Sequence, residues 1–161
     1  MSAQSIPSNS AKTSTGISTK TPLRVAGPTS NRGLIDTSVA IVLEQLDPSR
    51  LPNELAISAL TLAELSAGPY AAKSELAHAR RQDHLQRVEA TLESLDFDST
   101  CARAFGPIYS ATKQAGRKPR GARAVDLMIA ATARAHGLPL YTLNGADLIG
   151  LEGLVEVIDL A

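Results

Sequence analysis

Four carboxylates, Asp36, Glu64, Asp126 and Asp147, stand just beyond short apolar runs or on the helices expected to leave them. Acids drawn together from separate elements suit a hard divalent cation such as Mg2+ or Mn2+, which takes oxygen ligands and, in the case of Mg2+, keeps several waters. Such an ion lowers the pKa of a bound water and neutralises charge on a phosphoryl group. Two ions ~3.5–4 Å apart would clamp the attacking and leaving oxygens of a phosphodiester. Each acid also has a plainer explanation. Asp36 ends the run Gly33-Leu34-Ile35 and precedes Thr37-Ser38, so it could be a strand-to-helix junction or N-cap. Glu64 completes Thr61-x-x-Glu64, a capping-box pattern that would tie it to its own helix start. Asp147, three residues after Asn144, could be an ordinary first-turn acid. Asp126 is harder to set aside. It shares a helix face with Ile129, Ala130 and Ala133, and an acid on a buried face is costly unless it is paired or binds a metal.

The elements that must position these acids alternate between strand and helix, which argues for an α/β fold with a mainly parallel sheet. A first strand ends at Asp36, and a short helix from Val39 to Leu43 stops at Asp47-Pro48. A second strand covers residues 55–60, and Thr61 opens a helix that Gly68-Pro69 ends. A long helix is expected from about Ala71 to Ser94, with Leu85, Val88, Leu92 and Leu95 as its apolar stripe. Leu95-Asp96-Phe97 forms a short third strand, and Asp98 or Ser99 caps a helix through Ala115. A helix over Ala124–His136 carries Asp126. The strands Leu140–Leu143 and Leu154–Ile158 close the pattern, with the Asn144-Gly145 turn after the former.

Between the last two helices lies a basic loop, Arg117-Lys118-Pro119-Arg120-Gly121-Ala122-Arg123. Arg117, Lys118, Arg120 and Arg123 could hold the phosphates of a nucleic acid beside the acids, or could be solvated surface. No aromatic platform for base stacking is evident with it. Thr37 and Ser38 could bond a scissile phosphate or Asp36, or simply start a helix. Asn144 could orient a ligand or water, or serve only as a turn residue. His78, His84 and His136 have no Ser or Cys partner at a spacing that suggests nucleophilic catalysis.

With 161 residues, 43% of them hydrophobic, the chain can bury one proper core, built from Leu, Ile, Val and Ala because only 3% of residues are aromatic. The formal net charge is zero, so bulk electrostatics announce no partner. Residues 1–32 hold four of the sixteen basic side chains and none of the sixteen acids, which leaves twelve against sixteen in residues 33–161. The N-terminal stretch is rich in Ser, Thr, Pro and Gly without a 2 or 3.6 period; residues 1–32 are expected to be a disordered tail and 33–161 the folded domain. Cys101 is the sole cysteine, which rules out a disulfide within the chain and a cysteine zinc site, fits a cytoplasmic protein, and predicts a small buried residue. No run reaches the length of a membrane span, and the start lacks a secretory apolar region.

Four motifs in order carry a resemblance: Leu34-Ile35-Asp36-Thr37-Ser38; Leu60-Thr61-Leu62-Ala63-Glu64-Leu65-x-x-Gly68; Asp126-Leu127-Met128-Ile129-Ala130-Ala131-Thr132-Ala133-x-x-His136-Gly137; and Tyr141-Thr142-Leu143-Asn144-x-x-Asp147-Leu148. Together they resemble the PIN-domain family, in particular its VapC-type ribonuclease toxins, over residues 33–161. The resemblance implies a PIN-like three-layer sandwich with a four- or five-stranded, mainly parallel sheet flanked by helices. It implies a Mg2+- or Mn2+-dependent endoribonuclease in which Asp36, Glu64, Asp126 and Asp147 ligate metal or position the attacking water. Leu143 departs from the pattern, since many relatives carry a basic residue there. The implied partners are an RNA substrate and a cognate small antitoxin, with a homodimer the expected assembly and no membrane. Val39, Val42, Leu43 and Leu65 are candidates for a hydrophobic docking groove. Two other readings stay open: an inactive PIN-like module that binds RNA or a partner, and an aspartyl-phosphate phosphotransfer domain. The second would want another acid two residues after Asp36, where this chain has Ser38.

Overall fold

The computed structural model describes residues 31–161. The tail expected over residues 1–32 therefore lies outside the described residues, apart from Asn31 and Arg32, and Arg32 already opens the first strand. Five parallel strands form one sheet: β1 Arg32–Ile35, β2 Glu54–Ser58, β3 Glu93–Leu95, β4 Leu140–Thr142 and β5 Val157–Asp159. The helices are α1 Thr37–Val42, α2 Ala59–Ala67, α3 Glu75–Thr91, α4 Ser99–Gln114 and α5 Ala122–His136, with short 3-10 turns at Leu43–Gln45, Pro48–Arg50 and Gly145–Leu148. The strand order is β3-β2-β1-β4-β5.

The three layers follow from the side-chain period of a strand. Successive residues point to opposite faces. Leu34, Ala56 and Leu140 pack with Leu127, Ile129, Ala130 and Ile108 of α5 and α4. Their neighbours Ile35, Ile57 and Tyr141 pack with Val39, Leu65, Leu85 and Val88 of α1, α2 and α3. Both faces of the sheet are thus covered, as parallel sheets require.

Gly33 of β1 lies under the ring of Tyr141 of β4. A Cβ there would lie 2.4 Å from Cε2 of the buried Tyr141 ring and 3.0 Å from Pro52. Gly33→Ala should destabilise the domain by ~1–3 kcal/mol through overpacking. A chemical denaturation curve should show a lower midpoint with an unchanged slope; an unmoved midpoint would mean that the ring yields at no cost.

Several element ends differ from expectation, each for a local reason. β2 stops at Ser58 rather than continuing to residue 60, because the Ser58 hydroxyl accepts from the Thr61 N–H and caps α2. The long helix begins at Glu75, capped by Ser74, and ends at Thr91. Leu85 and Val88 keep the expected stripe, but Leu95 belongs to β3 and packs on the other face of the sheet. The last strand starts at Val157, because Leu154 and Val155 are tied back to the Leu151 carbonyl after Gly153, whose φ is +79°. Asp98 caps α4 and Cys101 is buried, both as expected.

Candidate active site

The sheet itself selects a place for a ligand. From β1 the chain moves outward to β2 and β3 on one side, and later to β4 and β5 on the other. Strand order therefore reverses between β1 and β4, and crevices at such points lie beyond the carboxyl ends of the strands. Asp36 directly follows β1, and Asn144 and Asp147 follow β4. Asp36, Asp126, Asn144 and Asp147 line one small cavity of ≈ 10 Å3, about the space of a single water or bare ion. Glu64 reaches the same region from α2, close enough for its charge to act on Asp126.

Asp36 turns out to be an N-cap, yet that role uses only one of its oxygens. Oδ1 accepts from the Val39 N–H at 2.9 Å and from the Ser38 hydroxyl at 2.6 Å. The Ser38 Oγ in turn accepts from the Leu143 N–H at 3.0 Å. Ser38 thus spans α1 and the end of β4, and its proton goes to Asp36. The Asp36 backbone N–H donates to the Tyr141 carbonyl at 3.0 Å, which fixes the residue to β4 a second time.

The capping-box explanation for Glu64 fails, because Ser58 is the N-cap and Thr61 lies inside α2. Glu64 is left to accept a hydrogen bond from the Thr37 hydroxyl across the two helices. Both small hydroxyl residues after β1 therefore hold an acid. Leu143 contributes through its backbone, so the absence of a basic side chain there leaves this bracing intact.

Asp126 sits in the second turn of α5, half-buried, with Leu127, Ile129 and Ala130 packed into the core. Burial pushes its carboxyl above the usual value, and the negative charges of Glu64, Asp36 and Asp147 push it the same way; only Arg123 opposes. Asp36, Glu64 and Asp126 have no ion-pair partner among the described residues. Three acids brought together with no ion-pair partner, and with only Arg123 acting in the opposite sense on Asp126, fit a cation. Among the described residues no three such side chains close tightly around a single point as a finished ligand set. A divalent ion that reaches some ligands through its own waters meets that spacing.

Asp147 differs from the other three. Arg123 donates to its Oδ1 at 2.9 Å and Arg117 to the same oxygen at 3.4 Å. The Nε of Arg123 is buried and unpartnered. The basic quartet of the loop thus divides. Arg117 and Arg123 turn inward to the acid, whereas Lys118 and Arg120 are exposed. Asn144 turns the chain, with its N–H donating to the Thr142 hydroxyl at 2.8 Å; its side chain caps nothing and faces the cavity.

The apolar residues expected to line a docking groove are mostly elsewhere. Val39 and Leu65 are 0% and 7% exposed and belong to the core, where the short helices α1 and α2 pack on the sheet. Leu65 shows only an edge to the groove between α1, α2 and α3. Ile41, 56% exposed, is the large apolar side chain available there. The groove measures ≈ 520 Å3, begins beside Thr37 and Glu64, and is bordered by Arg80, Arg81 and Arg87. Among the described residues no helix is long and apolar enough to cross a membrane.

Comparison with known proteins agrees with this geometry. Residues 34–149 match the PIN domain family. The chain is 36% identical over 128 residues to Ribonuclease VapC5 of Mycobacterium tuberculosis, covering 78% of this chain and 91% of that one. Its fold is similar to the crystal structure of VapBC-5 from the same organism, a member of the VapBC family of toxin–antitoxin systems. That match has a TM-score of 0.72 at 35% identity and covers 81% of this chain and all of the other. A DNA-bound VapBC from Salmonella typhimurium matches with a TM-score of 0.60 at 26% identity, over 80% of this chain and 97% of its own. A parallel five-stranded sheet, acids gathered at its switch point and these relatives lead to one assignment: the chain belongs to the PIN domain family, among relatives of the VapC type.

Proposed function

We propose that this chain is an endoribonuclease that works with a divalent cation, Mg2+ or Mn2+, and acts as the toxin of a type II toxin–antitoxin pair. The observation that carries the reading is the group of carboxylates at the switch point of the sheet, three of them without an ion-pair partner among the described residues. The ribonuclease activity of the VapC5 relative supports RNA as the substrate. In the reaction a water oxygen bonds to phosphorus, a phosphoester bond breaks, and the leaving oxygen takes up a proton.

Asp36, Asp126 and Asp147 would hold the cation, directly or through water, and Glu64 would hold or orient the attacking water. When bound, the cation supplies a water of lowered pKa and positive charge beside the phosphoryl oxygens. The protein's own part is positional. Ser38 and the Leu143 N–H fix Asp36, Thr37 fixes Glu64, and Arg123 fixes Asp147 while offsetting part of the repulsion. Asn144 would orient a water at the cavity. Lys118 and Arg120, together with Arg117 and Arg123, would draw in the RNA backbone.

A free nuclease needs a silencer in its own cytoplasm, and the VapBC relatives are toxin–antitoxin systems. A small antitoxin is the proposed partner here, seated in the groove beside Ile41, with a cationic side chain directed at the free acids. The test is expression in cells with sequencing of RNA cleavage ends. Growth arrest and new ends should appear with the wild-type chain, vanish in Asp36→Ala, and be suppressed by co-expression of a co-purifying small partner. New ends that persist in Asp36→Ala would exclude this site, whereas arrest that a bound partner cannot suppress would exclude the toxin–antitoxin role alone.

A further inference from the structure

The end of α4 folds back on itself. The Gly116 N–H donates to the Lys113 carbonyl and the Arg117 N–H to the Thr112 carbonyl, with Gly116 at φ +74°. This left-handed closure lays loop 117–123 against the last turns of α4. Between them lies a cavity of ≈ 320 Å3 lined by Tyr109, Lys113, Arg117, Lys118, Pro119 and Arg120. That volume is at the lower end of the ~300–1,000 Å3 of small-ligand sites. No carboxylate lines it. Lys113, Lys118 and Arg120 form no ion pair among the described residues. Tyr109 is 42% exposed, one of few large hydrophobic side chains at the surface among the described residues. Phe105, one turn earlier and packed on the core, supports it with ring centroids 6.0 Å apart. The spacing of this ring from the basic loop hid it in the sequence, where no aromatic platform was expected.

We propose that Tyr109 and the surrounding cations form a nucleotide subsite that stacks one base of single-stranded RNA and holds its flanking phosphates. A partly exposed aromatic ring beside unpaired cations is the chemistry such strands recognise, since bases alternate with phosphates along them. Arg117 makes the connection to catalysis. It lines the subsite and also hydrogen-bonds Asp147, so a strand seated on Tyr109 has a phosphate next to the acids. The site is small, with a ring and charges in place of a free strand edge, and this favours a nucleotide over a protein partner. The proposal rests on the nuclease reading for its substrate class.

The experiment uses the full chain in excess chelator, a short fluorescein-labelled single-stranded RNA, and a matching strand with abasic positions. Tyr109→Ala should weaken binding to the intact strand roughly 5- to 150-fold, the equivalent of one stacked base. Tyr109→Phe should bind as wild type, and the abasic strand should not distinguish the three proteins. Lys118→Ala should flatten the salt dependence by ~0.7 slope units for one lost phosphate. Equal affinity of Tyr109→Ala and wild type for the intact strand overturns the subsite, as does an equal loss on the abasic strand. Loss of a co-purifying protein partner with RNA affinity unchanged overturns it in favour of a protein interface. The nuclease reading fails separately. If metal-loaded protein does not cleave RNA while Tyr109→Ala still binds more weakly, the subsite stands without the nuclease.

Discussion

Asp126→Asn should lose RNA cleavage by roughly 100-fold or more, beyond the usual effect of removing an outer partner of a metal ligand, and yet melt at a higher temperature than wild type in metal-free buffer at neutral pH. The two effects share a cause. Burial first, then Glu64, Asp36 and Asp147, raise the Asp126 carboxyl above its ordinary 3.8. A carboxyl whose folded pKa lies above its unfolded one binds its proton more tightly in the folded state. Its ionised form therefore lowers stability as pH rises through the folded value, and the loss is absent below the unfolded value. The amide variant escapes that loss. Its thermal advantage should be present at neutral pH and disappear on acidification below about 4, the ordinary carboxylate range. Melting curves of both proteins across pH, with chelator present, check the sign. A variant that melts lower at neutral pH would mean that Asp126 has a partner that outweighs the repulsion.

Chelation should abolish cleavage by the purified protein, and Mg2+ or Mn2+ should restore it. The same cation should stabilise the fold, by ~2.7 kcal/mol at a hundredfold excess over its dissociation constant. That gain should shrink in Asp36→Ala and in Asp126→Asn, while chelator should barely alter the melting of either variant. Undiminished cleavage in excess chelator would remove the metal from the mechanism.

Much of this was legible in the chain because the relevant periods are local. The apolar runs ending at Ile35, Leu60 and Leu143 read as buried strands, and each contains a strand of the sheet. Asp36, Glu64 and Asp147 stood out because they follow those runs, and Asp126 because it shares a helix face with Ile129, Ala130 and Ala133. What sequence spacing missed was decided by tertiary contact or by one competing hydrogen bond. Ala59 and Leu60 looked like the end of a strand, and only the capping bond that Ser58, the last residue of β2, accepts from the Thr61 N–H starts α2 there and frees Glu64 from a capping role. The six residues of α1 are too few for a periodic signal, so Val39 and Ile41 could not be told apart as core and surface. The pairing of Arg117 and Arg123 with Asp147 joins segments 30 and 24 residues apart, and nothing local announces it.

The position of β1 in the middle of the sheet bears on how the protein is made. Its neighbour β4 arrives more than a hundred residues later, and the bond from Leu143 to Ser38 spans 105 positions. Contacts of such separation form late, after the loop between them has been closed. A nascent chain still lacking β4 already contains Asp36, Glu64 and Asp126, but has neither the strand that anchors Asp36 nor Asp147. Its acids are present without being assembled. On the proposed function, in which these acids cleave RNA, this order of synthesis would withhold activity until the last strands are released.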